Sequence, residues 1–320
     1  MIWFRSGDRY ASVATMQRVL NLCSASDPRL QAGEPLVEDG VFGRLTRERV
    51  KAAQKALDVR PASGILGPDT WKALRPIAKC RVVDVTDLAL EELFRTRGER
   101  AIRESLLRQY RADRKTAAAA QHFVNRDILT YKKEIQACRA QHCRFVALGG
   151  DPIGITSLDR VYETIRRGIT ARSRGGWQVV LLRFTGHGGP GAQGVAASLI
   201  RMRRITMGTL TYDDKDTAED LVETLMVSCI ADAMPTWGSV ELHGCNIAAR
   251  RRVGRPPKRI LVNGAAFVQR FADTVGRPVT ATTVPDLYGT IRYDVRFEGP
   301  IVCCTPGGGT VKSWFRGRTA

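Results

Sequence analysis

The sequence predicts an α/β protein in which a small three-helix N-terminal domain precedes a larger domain with a mostly parallel sheet flanked by helices. The chain has 320 residues, 43% hydrophobic and 26% charged, as expected for a globular protein with room for two domains. A glycine-rich turn occurs twice near the N-terminus, and apolar runs alternate with amphipathic segments from about residue 143. We therefore expect a helical domain at 1–79, a helical connector or helical layer at 80–142, and an α/β domain at 143–320.

Three helices are predicted in the N-terminal domain. Apolar residues at helical spacing indicate the first helix at 13–22. The segments 39–57 and 63–74 each open with a glycine turn, DGVFGRLT and SGILGPDT, which repeat with a period of about 24 residues. Thr46 is placed to cap the helix after the first turn.

These turns resemble the peptidoglycan-binding domain type 1 family. The loop 24–37 is long for this family, and Ser63 stands where the family usually has Asp. The resemblance implies peptidoglycan as a partner and a mostly structural role for the motif, with a scaffold docking surface as the alternative. The matching positions are Gln17, Leu20, Asp39, Gly40, Val41, Phe42, Gly43, Thr46, Val50, Gln54, Gly64, Ile65, Leu66, Gly67, Thr70, Trp71 and Leu74.

The charged middle segment, 80–142, has Glu–Arg and Glu–Lys neighbours at helical spacing and predicts two or three helices. Beyond it, strand-like and helix-like patterns alternate, which predicts a mostly parallel sheet. The expected strands are 143–150, 177–189, 238–248 and 278–282, and 204–214 is expected to be a strand or a hairpin. The expected helices are 157–169, with Ser157 as a possible cap, 217–234 and 264–276, before a terminal hairpin at 288–315.

Two glycine-flanked motifs follow apolar strands of this domain. One is Thr185-Gly186-His187-Gly188-Gly189, and the other is Leu242-His243-Gly244-Cys245-Asn246. Open α/β sheets place their sites at the carboxyl ends of strands. If the two strands are adjacent and parallel, His187 and Cys245 lie at the same edge of the sheet.

An apolar strand ending in His-Gly, followed later by an apolar strand ending in Cys, resembles the caspase-like cysteine peptidases. Within this group, residues 143–285 look most similar to bacterial domains related to CHAT domains. The resemblance implies a caspase-like fold and cysteine endopeptidase activity, without a cofactor. His243 departs from the pattern, because caspases have a small residue at that position.

In this interpretation the Cys245 thiolate is the nucleophile, and His187 polarises the thiol or protonates the leaving amine. The backbone N–H groups of Gly188 and Cys245 form the oxyanion hole. His243 is the second candidate for the base, because strand alternation puts positions 243 and 245 on the same side. An inactive domain that binds a partner is the alternative.

Two further segments have an open interpretation. Asp213 and Asp214 lie between the motifs, where they form either a turn or an acidic pocket for a basic side chain. The basic segment 250–259, RRVGRPPKRI, is either an exposed loop that is processed or an AT-hook-like element for the minor groove of DNA. The net charge of +18 is compatible with nucleic acid but is scattered along the chain.

No metal or cofactor site is predicted, since the spacing of Cys138, His142 and Cys143 fits no common zinc site. The N-terminus lacks a secretory signal pattern, and no apolar run approaches membrane-spanning length. We expect mostly reduced thiols and a bacterial protein, cytoplasmic as made, that reaches the envelope by a signal-independent route. The function expected is a cell-wall-targeted cysteine endopeptidase, with wall-associated assembly or nucleic-acid binding as alternatives.

Overall fold

The computed structural model describes the chain apart from several segments, of which 206–226 is the longest. The segments outside the description are 1–3, 114, 158–159, 187, 190, 198–201, 206–226, 228–229, 245, 254–259, 285–296, 298–299, 309–311 and 315–320.

The N-terminal module consists of three helices, as predicted: α1 (Ala11–Ser26), α2 (Arg44–Ala56) and α3 (Pro68–Ala78). Met16 and Trp71 are fully buried in its core. The predicted cap is wrong, because Gly43 is the N-cap of α2 and the hydroxyl of Thr46 donates to the Val41 carbonyl oxygen instead.

The middle segment contains a strand that the sequence prediction missed. Strand β1 (Cys80–Asp87) precedes the two expected helices, α4 (Ala89–Ala112) and α5 (Ala117–Ala147). The predicted strand at 143–150 is wrong, because α5 continues to Ala147. The apolar stripe of α5 explains this: Ala120, Val124 and Ile128 are buried at four-residue spacing, and Phe145 is buried near its end.

The remaining elements follow in chain order. They are β2 (Ile153–Ile155), α6 (Val161–Arg172), β3 (Gln178–Thr185), β4 (Gly188–Gly189), β5 (Ala192–Ala197), β6 (Met202–Ile205), β7 (Ser239–His243), β8 (Arg250–Val253), β9 (Ile260–Asn263), α7 (Gly264–Val275), β10 (Val279–Thr282), β11 (Ile301–Cys304) and β12 (Lys312–Trp314).

Most elements predicted for the larger domain are present, but their first and last residues differ from the prediction. Helix α6 begins after Arg160, so Ser157 is not its cap. Most of the predicted segments 204–214 and 217–234 lies outside the described residues. The basic segment is not simply a loop, because β8 and β9 pair as antiparallel strands on either side of 254–259.

Seven strands form the main sheet in the order β12-β11-β10-β7-β3-β1-β2. The pairs from β10 to β2 are parallel, whereas β11 and β12 are antiparallel. The prediction of a mostly parallel sheet is therefore confirmed. Strands β4, β5 and β6 form a separate small sheet beside it.

Helices cover both faces of the sheet. Side chains of α6 and α7, such as Ile165 and Phe271, fill the core on one face. On the other face, the N-terminal module shares one continuous core with the sheet residues Val82, Val180 and Leu181. The module is thus a helical layer of the α/β sandwich. No helix among the described residues is long and apolar enough to cross a bilayer.

Candidate functional site

The two motif loops meet at the carboxyl ends of β3 and β7, which are adjacent and parallel. His187 and Cys245 themselves lie outside the described residues, as do Asp213 and Asp214. Their chain neighbours are described. A Cβ atom at Gly244 would lie 2.9 Å from the Cα atom of Gly188 and 3.0 Å from its nitrogen. The backbones of the two loops are therefore in direct contact.

The first loop is packed against β5. The Gly186 N–H donates a 3.2 Å hydrogen bond to the carbonyl oxygen of His243 at the end of β7. A Cβ atom at Gly186 would lie 2.8 Å from the Gly194 carbonyl oxygen, so no larger residue fits there without movement. Gly188 pairs with Gln193, which is fully buried and donates from Nε2 to the Gly194 carbonyl oxygen at 2.7 Å.

The second loop is held at the end of β10. Asn246 has φ +57°, a left-handed conformation that Asn tolerates better than most residues. Its N–H donates to the Val284 carbonyl oxygen at 2.9 Å, and the Ala248 N–H donates to the Thr282 carbonyl oxygen at 2.9 Å. The chain on the far side of position 245 is therefore anchored by backbone hydrogen bonds.

A buried cluster of charges lies on the module-facing side of the central strands. Asp84, Arg183 and Glu241 are register partners across β1, β3 and β7, and each is at most 1% exposed. Arg183 Nε is 3.0 Å from Glu241 Oε2, whereas Arg183 Nη1 is 3.6 Å from Asp84 Oδ1. This cluster was not predicted, although each of the three strands has a charged residue within its apolar run, and buried charges are usually paired.

The pKa values of the two carboxyl groups in the cluster shift in opposite directions. Burial raises the pKa of Asp84 to about 6, and the more distant Arg183 offsets this only in part. Burial also raises the pKa of Glu241, but Arg183 and His243 outweigh it and lower that pKa to about 2. The closer contact of Arg183 with Glu241 explains the difference.

His243, the second candidate base, belongs to this cluster. Its Nε2 is 2.8 Å from Glu241 Oε2, and its ring stacks on Phe297 with 4.2 Å between the ring centroids. The residue is 5% exposed. The ring is thus fixed within the core and has one nitrogen engaged by a carboxylate.

The same pattern of hydrogen bonds stabilises both turns of the N-terminal module. Gln17 accepts from the Gly40 N–H at 3.0 Å and donates to Thr46 Oγ1 at 3.1 Å. Gln54 accepts from the Gly64 N–H at 2.8 Å and donates to Thr70 Oγ1 at 2.9 Å.

The other predicted positions of this motif also have structural surroundings. Phe42 and Trp71 are buried, Gly43 and Gly67 are the N-caps of α2 and α3, and Asp39 accepts from Gln17. These residues therefore stabilise the two turns and the core of the module.

Cys138, His142 and Cys143 all lie on α5, where the Nδ1 atom of His142 is 2.7 Å from Thr86 Oγ1. Among the described residues, no group of three or more His, Cys, Asp or Glu side chains is arranged to hold a metal ion.

No curated protein and no solved structure matches this chain. Residues 9–74 match the family model described as "Putative peptidoglycan binding domain", which supports the peptidoglycan-binding assignment of the N-terminal module and its association with the cell wall.

Proposed function

We propose that this protein is a caspase-like cysteine endopeptidase that its N-terminal module targets to the bacterial cell wall. The observation that carries the proposal is the contact between the Gly188 and Gly244 backbones at the ends of two adjacent parallel strands. His187 follows Gly186 and Cys245 follows Gly244, so both reactive residues belong to loops that touch.

The chemistry proposed is acyl transfer to sulfur. The Cys245 thiolate attacks the scissile carbonyl carbon, and the N–H groups of Gly188 and Cys245 stabilise the oxyanion. The C–N bond then breaks as His187 gives a proton to the leaving amine. Water then attacks the resulting thioester and the C–S bond breaks, which releases the acyl fragment as a carboxylic acid and restores the Cys245 thiol.

The surroundings of His243 favour His187 as the proton donor. The His243 ring is buried between Glu241 and Phe297, so a substrate has little access to it. We assign His243 the role of a positioning residue that fixes the end of β7 before Gly244 and Cys245. Asp213 and Asp214 remain candidates for an acidic substrate pocket.

Mass spectrometry of the purified protein, alone and mixed with cell lysate, tests the peptidase. The wild type is expected to be clipped, in particular within 250–259, or to cut lysate proteins, whereas Cys245→Ala and His187→Ala are not. Cys143→Ala is the matched control, because Cys143 is an exposed thiol on α5 and belongs to neither loop. Equal activity of wild type and Cys245→Ala would refute the mechanism.

The alternative is an inactive domain that binds or assembles other proteins at the wall. It shares with the peptidase proposal the wall association that the family match to residues 9–74 supports. It predicts that Cys245→Ala keeps the full biological effect. The nucleic-acid alternative predicts DNA affinity that falls steeply with salt and is lost when 250–259 is deleted.

A further inference from the structure

The N-terminal module has an open groove beside α2. The groove has a volume of 680 Å³, within the usual range for ligand sites. Residues 32–37 form one wall, and the turn at 39–43 together with the first turns of α2 forms the other. The first wall belongs to the loop 24–37, which is the long departure from the family pattern, so this chain builds the groove with a segment of its own.

The wall at 32–37 is held in place by both neighbouring helices. Asn21 of α1 donates to the Leu36 carbonyl oxygen at 2.9 Å and accepts from the Leu36 N–H at 2.8 Å. Arg49 of α2 is 7% exposed and donates to the Glu34 carbonyl oxygen at 2.5 Å and to Ser24 Oγ at 3.1 Å. These contacts preform the groove, which reduces the entropy lost when a ligand binds.

The surface of the groove is aliphatic with charges of both signs. Val37 and Leu45 line it and are 76% and 70% exposed, so two of the four large apolar side chains that are exposed among the described residues lie at this groove. Arg44 supplies a cation, and Glu34 and Glu48 supply carboxylates. Within the described part of the chain, none of the residues that line the groove is aromatic.

The residues that line the groove suit the two parts of peptidoglycan, its glycan strand and its peptide stem, to different degrees. Sugar rings present C–H faces that stack on aromatic side chains, and the groove offers no such platform. A peptide stem instead presents alanine methyl groups, carboxylates and the amine of a diamino acid, which match aliphatic walls flanked by Arg and Glu. We propose that the groove binds the peptide stem of peptidoglycan and makes no use of the glycan strand. This inference rests on the wall-binding part of the proposed function.

The test uses the full chain and three probes: intact sacculi, soluble glycan strands freed of their stems by an amidase, and a soluble stem tetrapeptide. We expect the protein to sediment with intact sacculi, to be displaced from them by the tetrapeptide, and not to be displaced by the stem-free glycan strands. Val37→Ser and Leu45→Ser are each expected to weaken tetrapeptide binding about tenfold by removing apolar contact. Leu129→Ser on α5, at a side chain 57% exposed and remote from the groove, is the matched control and keeps wild-type affinity.

The outcomes separate the inference from the proposed function. Displacement from intact sacculi by the stem-free glycan strands and not by the tetrapeptide would overturn stem recognition and leave wall binding in place. Unchanged tetrapeptide affinity in Val37→Ser and Leu45→Ser would also overturn the groove as its site. Failure to sediment with intact sacculi would overturn wall binding itself. Since both substituted side chains are exposed, unchanged circular dichroism and melting temperature verify the fold of each variant.

Discussion

Thr15 of α1 donates a buried 2.9 Å hydrogen bond to the hydroxyl of Ser239 in β7, across a sequence separation of 224 residues. Ser239 in turn donates to Ser12 at 3.2 Å. At the other end of the module, Trp71 Nε1 donates to the Gly149 carbonyl oxygen at 3.2 Å. The N-terminal module is thus attached to the sheet by hydrogen bonds as well as by a shared apolar core.

We expect the module and the sheet to unfold together. Deletion of 1–79 would expose Val82, Val180 and Leu181 on one face of the sheet, a large apolar surface that favours aggregation. Calorimetry of the full chain should show one transition, and the deletion variant should be insoluble or lack a cooperative transition. A soluble deletion variant that melts near the wild-type temperature would show that the two parts are independent.

Gly244→Ala should abolish the proposed peptidase activity, because Gly244 lies where the two motif loops touch. Its Cβ atom would lie 2.9 Å from Gly188 Cα, which is backbone and cannot rotate away. Gly189→Ala, in the loop that faces Gly244, is the control, because its Cβ atom would meet nothing within 4 Å. Peptidase activity measured beside the melting temperature tests this, and equal activity of the two variants would contradict the close contact.

Arg183→Met should destabilise the protein by about 3–5 kcal/mol, because it leaves the buried carboxylates of Asp84 and Glu241 without their cation. Urea unfolding at pH 7 measures the loss. Arg167→Met provides the control, since Arg167 is 71% exposed and its ion pair with Glu163 lies on the surface of α6, where little stability is at stake. Losses of similar size in both variants would argue against a special role for the buried cluster.

Asp84 should make the protein less stable as the pH rises from about 4 to 6. Its folded pKa of about 6 exceeds the ordinary value of 3.8, so the folded state binds the proton more tightly than the unfolded chain does. Asp84→Asn is expected to remove this decline. The free energy of unfolding, measured in urea at intervals across this range, would show no difference in slope if the carboxyl group were not buried.

The contribution of Glu241 to the stability of the folded protein should be lost at acidic pH. Its folded pKa of about 2 lies below the ordinary value of 4.5, so its contribution to stability is complete above pH 4.5 and lost as the pH falls towards 2. Glu241→Gln is expected to flatten the acid limb of the stability curve between these values. An acid limb as steep as that of the wild type would place the responsible carboxyl group elsewhere.

Local patterns predicted the N-terminal module well because its signals lie close together in the chain. The repeated turn places Gly40 and Gly64 at equivalent positions, and Gln17 and Gln54 reach them from neighbouring helices. The glycine-flanked ends of β3 and β7 were also recognisable, since each follows an apolar run. Strand β1 was missed because its charged residues resemble the adjoining helices, and only pairing with β2 and β3 identifies it as a strand.

The sequence by itself determined the three helices of the module, the alternation of strands and helices, and the order of His187 before Cys245. Tertiary structure alone decided that the module covers one face of the sheet, that Asp84, Arg183 and Glu241 share one row, and that the Gly188 and Gly244 backbones touch. The physical reason is distance along the chain. Helical periodicity and turn residues act over a few positions, whereas strand order and buried charge pairing depend on residues that only folding brings together.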